Sequence, residues 1–321
     1  MATIRLTHID GALPNLALMK LAYWHRNLGD QVVLARTPSP SMFEPIYDQV
    51  YGSTIFSWST EVVRRLRDAY PEAIIAGTGS GNWQTVEEVI GQEEFEHYDY
   101  SIYPGYPWSL GFTQRGCRLN CGFCVVPKKE GKPRSTNSIY DIWRPGTPRC
   151  VCLLDNDFFG QPEGQWRCRV EELRQDNFKV CFNQGINIRM ITAETAAVLA
   201  DLRYFDDQFQ RHRLYTAWDN LGQEKVFFRG LELLENAGIP AKHLMVYMLV
   251  GYKVGETMEE VMYRYQRLKD AGCLAFPMVY RDSPNYQLLR RFARWVIRRY
   301  DSQCSFEDFG KKLGNFQQPS S

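Results

Sequence analysis

Between residues 106 and 285 the chain alternates short apolar runs with amphipathic, helix-patterned segments, and this alternation limits the folds open to it. The runs at 108–113, 149–154, 178–182, 213–218, 243–250 and 274–280 are short and rich in β-branched and aromatic residues, as strands are. Helices are expected near 165–176, 193–202, 223–237 and 257–271. Gly238 and Gly272 close the last two, as left-handed helix stops do. Repeated strand–helix units build a parallel sheet with helical crossovers. In such sheets sites gather outside the carboxyl ends of the strands. That rule brings the loop after 108–113, Asp155, Gln184, Asp219 and Gly251 to one edge.

Residues 1–105 read as a smaller α/β unit. Strands are expected at 4–8, 31–35, within 47–56 and at 73–77, with helices at 15–27 and 59–70. The last strand runs into a turn holding Gly77, Gly79 and Gly81, which either cradles a phosphate or simply reverses the chain. Residues 286–321 are expected to form one more helix and then a polar tail. Leu288, Leu289, Phe292, Trp295 and Val296 fall at helical spacing. Arg290, Arg291, Arg294, Arg298 and Arg299 occupy much of the rest, as on the wet side of a docking helix.

Lys and Arg total 38 against 37 Asp and Glu, so bulk charge draws the chain neither to nucleic acid nor to a membrane surface. No apolar run is of spanning length, and the first residues lack the pattern of an export signal. A soluble, cytoplasmic protein is the expectation. The nine cysteines all lie at or beyond position 117, and their number is odd. A reduced compartment suits them better than a disulfide framework.

Three of them, Cys117, Cys121 and Cys124, stand in the run GCRLNCGFCVVP at 116–127. Three thiolates at CxxxCxxC spacing can hold three irons of a [4Fe–4S] cube and leave the fourth iron without a protein ligand. A structural zinc site wants four ligands, usually from two knuckles, and no second knuckle follows. The remaining cysteines form no recognisable ligand set. Cys150 and Cys152 alternate on one strand and share a face, while Cys168, Cys181, Cys273 and Cys304 are scattered. His212 and His243 have no partner motif and read as structural.

The cysteine run, the aromatic Phe123 before its third cysteine, and Pro127, Gly131, Arg134 and Ser135 beyond it resemble the signature of the radical S-adenosylmethionine (SAM) superfamily. The resemblance is to its cobalamin-binding and methylthiotransferase branches. It implies a partial (βα)6 TIM-type barrel over 106–285, preceded by a small Rossmann-like domain over 1–105 that is a degenerate form of a cobalamin-binding domain. It also implies a [4Fe–4S] cluster on Cys117, Cys121 and Cys124, with SAM chelated at the open iron. Reductive cleavage of SAM would then yield a 5′-deoxyadenosyl radical for hydrogen abstraction, and a flavodoxin or ferredoxin would be the electron donor.

The resemblance also implies a SAM pocket. Asp155, Asn156 and Asp157 end the second strand, where acceptors meet the SAM ammonium; such residues equally favour a strand-end turn. Gln184, Asn187 and Arg189 follow the third strand. Arg189 suits the methionine carboxylate as well as it suits a structural ion pair. Asp219 ends the fourth strand. Gly251 opens a GYKVGET turn similar to the family's GxPGET turn, in which Glu256 and Thr257 look like helix-start residues. Lys128, Lys129, Lys132 and Arg134 either draw an anionic substrate or are simply solvated.

The N-terminal unit has no DxHxxG stretch, since His8 and His25 are followed by unrelated residues, so cobalamin is not expected. Methylthiolation is disfavoured, because residues 1–116 contain no cysteine for a second cluster and no C-terminal β-barrel is expected. Cobalamin-dependent methylation remains an alternative. A non-catalytic module that binds a structural metal is the alternative of another class. The substrate stays open among nucleobases, peptides and small metabolites.

Overall fold

The computed structural model describes residues 1–93 and 95–309. The chain divides into two compact units at Pro107, against an expected boundary at 105. The polar tail from 310 onward lies outside the described residues. Both units are mixed α/β with parallel sheets. No helix among the described residues is long and apolar enough to cross a membrane.

The first unit runs β1 (Thr3–His8), α1 (Leu16–Asn27), β2 (Gln31–Ala35), β3 (Gln49–Ser53), α2 (Thr60–Ala69), β4 (Ile74–Ala76) and α3 (Val86–Ile90). Its four strands are all parallel, in the order β2-β1-β3-β4. Every strand and helix expected here is present. Helix α1 begins where Asn15 accepts the Leu18 N–H, and it buries Leu18, Met19, Leu21 and Ala22 against β1. Arg5 of β1 is fully buried. It pairs with Glu44, donates to the Thr37 carbonyl at 2.6 Å, and lies over the rings of Tyr47 and Tyr70.

The second unit begins with β5 (Ser109–Gly111), β6 (Gln114–Arg115), α4 (Val126–Lys129), β7 (Arg134–Ser135) and α5 (Ile139–Ile142). It continues with β8 (Cys150–Leu153), α6 (Glu163–Gln175), β9 (Lys179–Phe182), α7 (Ala193–Asp201), β10 (Arg203–Tyr204) and β11 (Leu214–Ala217). It ends with α8 (Glu224–Asn236), β12 (Leu244–Val250), α9 (Met258–Asp270), β13 (Leu274–Val279) and α10 (Tyr286–Ile297). The six expected strands are β5, β8, β9, β11, β12 and β13. Gly238 and Gly272, with φ of 94° and 77°, end α8 and α9 as their positions require.

The strands do not form one continuous ladder. Strands β5, β8, β9 and β10 make one parallel sheet, and β11, β12 and β13 make another. The unexpected β10 is the reason. It pairs with β9 through Arg203 and Tyr204, on the edge that direct pairing with β11 would need. Only past the end of β9 does the chain rejoin β11, where the Ile186 N–H donates to the Tyr215 carbonyl at 2.7 Å. Among the described residues no closed barrel is formed. One large core nevertheless runs through both sheets, from Val151, Val180 and Leu214 to Val246 and Val250. Helix α10 adds Leu289, Phe292, Trp295 and Val296 to this core and so belongs to the second unit, its arginine side turned outward at Arg290, Arg294 and Arg298.

Helix α9 braces the carboxyl ends of the second sheet through a buried cation. Arg264 donates to the carbonyls of Trp218 at 3.0 Å and Leu249 at 2.9 Å, and to Glu256 Oε1 at 2.6 Å. Removing one partner of a buried ion pair strands the other charge. Glu256→Ala is therefore expected to lower the stability of the second unit by about 3–5 kcal/mol. Glu259→Ala, on the exposed side of the same helix, should change it by about 0.5 kcal/mol or less. Urea unfolding of the two variants checks this, and equal midpoints would refute it.

Candidate metal and cofactor site

The cysteine run forms a hairpin that leaves the carboxyl end of β5 and returns through β7. Strands β6 and β7 pair antiparallel, Gln114 with Ser135 and Arg115 with Arg134, and so close the loop that carries all three thiols. Gly116 makes the turn feasible. Its φ is 79°, and a Cβ there would lie 2.3 Å from the Lys132 carbonyl oxygen. The Cys117 N–H donates across the loop to the Gly131 carbonyl at 3.3 Å, and the Cys124 N–H to the Cys121 carbonyl at 2.9 Å.

Carboxylates from outside the hairpin fix its base. Asp155 is buried and accepts from the backbone N–H groups of Thr113 at 2.7 Å and Gln114 at 3.1 Å, and from the Thr113 hydroxyl. Burial pushes its carboxyl up to about 7, against the pull of those three donors. Asp157 takes Arg118 in a fork, at 2.7 and 2.9 Å, while its own N–H donates to the Gln114 side chain at 2.9 Å. Glu130, inside the loop, accepts from the Gly116 N–H at 3.1 Å, from Arg115 at 3.2 Å and from Asn156 at 2.7 Å.

Two of the cysteine sulfurs accept an N–H hydrogen bond: the Leu119 N–H donates to Cys117 Sγ at 3.4 Å and Arg189 Nη2 to Cys121 Sγ at 3.6 Å. Burial pushes the Cys117 and Cys124 thiols up, nearby backbone N–H groups pull them down, and the charge of Cys121 pushes both further up. Among the described residues no group of three or more His, Cys, Asp and Glu side chains is already drawn together around a metal-sized point. Metal ligation deprotonates thiols and pays for their convergence, so a preformed cage is not a requirement. Three soft sulfur donors on one short loop suit thiolate coordination.

Several of the residues expected at the site adjoin this hairpin. Arg189 touches Cys121. Asp219 lies close enough for its charge to act on Cys124, and burial raises its own carboxyl against the fields of Arg189 and Arg264. Asn156 and Asp157 reach the hairpin through Glu130 and Arg118. Phe123 is exposed and sits edge-on to Tyr252 at 5.3 Å, and Tyr252 in turn meets Tyr280. The Asn187 side-chain amide nitrogen is buried with no partner, which leaves a donor available to a ligand.

Others are accounted for within the protein. Asp155 spends both oxygens on the base of the hairpin. Gln184 is exposed and donates to Asn183 at 3.2 Å. The Gly251 N–H donates to Glu256 at 2.6 Å, and the space of its absent side chain is filled by Leu289 and Ser283. That packing explains the glycine without a ligand. Thr257 caps α9 as expected, while Glu256 is the partner of Arg264. Sequence reasoning missed the roles of Thr113, Gln114, Arg118, Glu130 and Tyr252. Glu130 did leave a signal, being the one acid among the lysines and arginine of 128–134.

No family model matches this chain, and no curated protein or solved structure is significantly similar to it.

The Asp155 carboxyl gives a test of sign. Its folded value, about 7, stands above the roughly 3.9 of an unfolded chain, so the folded state holds the proton longer. Stability from this group is complete below about pH 4 and falls as pH rises toward 7. Asp155→Asn keeps the shape and carries no charge, so stability–pH curves of the variant should lose that decline. Asp155→Ala, which leaves two buried N–H groups unpaired, should cost about 2–4 kcal/mol near pH 4, and that cost should shrink as pH rises toward 7. A wild-type curve that rises from pH 4 to 7 relative to Asp155→Asn would overturn the assignment.

Proposed function

We propose that this chain is a radical SAM enzyme that carries a [4Fe–4S] cluster on Cys117, Cys121 and Cys124. The observation that carries the reading is the donor set: three sulfurs on one hairpin, two of them accepting an N–H hydrogen bond, and no fourth cysteine between 116 and 135. This set fits a cluster with one iron left for a non-protein ligand. The six parallel strand–helix units fit the partial barrel of the superfamily, with the hairpin after the first strand. The 2-1-3-4 order of the first sheet fits a Rossmann-like domain without a cobalamin histidine motif.

When bound, the cluster would supply the electron that splits the SAM sulfonium and so starts hydrogen abstraction. The residues of the chain bind and orient. Arg189 lies against Cys121 and offers further guanidinium N–H groups to a carboxylate. Asn187, two residues earlier in the chain, offers a buried amide donor. Asp219 sets a negative charge near Cys124 and Arg189, suited to an ammonium. Phe123 and Tyr252 pack edge-on at the outer face of the loop. A flavodoxin or ferredoxin is the proposed reductant.

Anaerobic reconstitution with iron and sulfide, followed by reduction with dithionite in the presence of SAM, tests the proposal. The wild-type protein should form 5′-deoxyadenosine, and the triple Cys→Ala variant should hold no cluster and form none. Arg189→Met should retain the iron yet raise the SAM concentration needed for half-maximal cleavage by about tenfold or more, for loss of one charge-assisted contact. A wild-type protein that binds iron and forms no 5′-deoxyadenosine sinks the proposal.

A further inference from the structure

The edge of the second unit opposite the cysteine hairpin carries a different kind of site. Strands β8, β9 and β10 begin there side by side, and each begins at a cation: Arg149 just before Cys150, then Lys179, then Arg203. The register places Lys179 opposite both Cys150 and Arg203. These residues, with Trp108 and Phe209, surround a recess of about 500 Å³, within the size range of small-molecule sites.

The charges around the recess are not balanced. Arg149 is neutralised by Asp176, at 3.0 Å. Lys179 and Arg203 meet only carbonyls and a ring. Lys179 Nζ lies 3.4 Å from the Phe209 carbonyl and 4.6 Å from the centre of the Phe205 ring, and Arg203 Nη1 donates to the Asn177 carbonyl at 2.8 Å. Neither has a carboxylate partner among the described residues. Both lie close enough to the Cys150 thiol, which also lines the recess, for their fields to act on it.

The wall is built at a cost. Phe209 holds φ at 55°, a left-handed conformation that a bulky residue rarely adopts, in a turn closed by Asp206. The turn sets its ring edge-on to Trp108 at 5.2 Å. Two cations without a carboxylate partner, beside the Trp108 ring, make a pattern suited to a phosphate joined to a planar ring.

We propose that this recess binds a phosphate-bearing ligand of nucleotide size, with Lys179 and Arg203 on the phosphate and Trp108 against the ring. The proposal is independent of the cluster chemistry, and uridine 5′-monophosphate is the probe because it carries no adenine to enter a SAM pocket. Calorimetry on the full chain should show saturable binding of uridine 5′-monophosphate and markedly weaker binding of uridine. The Lys179→Gln/Arg203→Gln pair should weaken the nucleotide by about tenfold or more, and Asp176→Asn, which frees Arg149, should tighten it. If the double variant loses its wild-type melting transition, Lys179→Gln alone takes its place. A short uridine oligonucleotide binding more tightly than the mononucleotide assigns the phosphate to a polymer; the reverse assigns a free nucleotide, and both outcomes support the site. Equal binding of uridine and its phosphate, no saturable binding at millimolar concentration, or indifference to the Lys179 and Arg203 substitutions overturns it.

Discussion

The carboxylate of Asp155 is the contact on which the rest of the cysteine-bearing edge depends. The ladder between β5 and β8 ends where the Leu154 N–H meets the Gly111 carbonyl at 2.9 Å. Beyond that point the two backbones part, and Asp155 receives the Thr113 and Gln114 N–H groups that the ladder no longer satisfies. Gln114 carries the constraint onward, donating through its side chain to the carbonyls of Arg115 at 2.7 Å and Gly116 at 2.8 Å. Within a few residues the fixed strand end has become a fixed position for Cys117. A buried carboxyl is costly, and here three donors offset part of that cost.

The two edges of the second unit divide the work of charge. At the carboxyl ends of the strands, the acids Asp155, Asp157, Glu130 and Glu256 are spent on N–H donors and arginines of the protein itself. Among the described residues the three sulfurs, the Asn187 amide and Arg189 take no part in these pairs. At the amino ends the balance reverses, with more cations than acids around an aromatic wall. Parallel strands make this separation natural, because each edge collects residues from the same end of every strand.

Much of the frame was legible in the sequence, because period and punctuation carry it. The apolar run 243–250 and Gly238 before it define β12 and the end of α8 without any partner being known. Strand β10 was not legible. Two residues, Arg203 and Tyr204, show no period, and only their pairing with β9 makes them a strand. The site divides in the same way. The three cysteines and the strand-end positions of Asp155, Arg189 and Asp219 could be read from spacing. The clamps could not, since Asp157 finds Arg118 across 39 residues and Asn156 finds Glu130 across 26. No local pattern encodes such pairs. Gly251 shows the limit most clearly: its motif suggested a ligand, and its neighbours Leu289 and Ser283 supply a packing reason instead.

The proposed chemistry rests on a metal corner that no side chain occupies. Electron–nuclear double resonance on the reduced, anaerobic protein, with SAM labelled by ¹⁵N at its amino group, addresses that corner most directly. A hyperfine coupling from the labelled nitrogen to the cluster is the predicted result. A fully loaded, reduced cluster without that coupling would contradict the account.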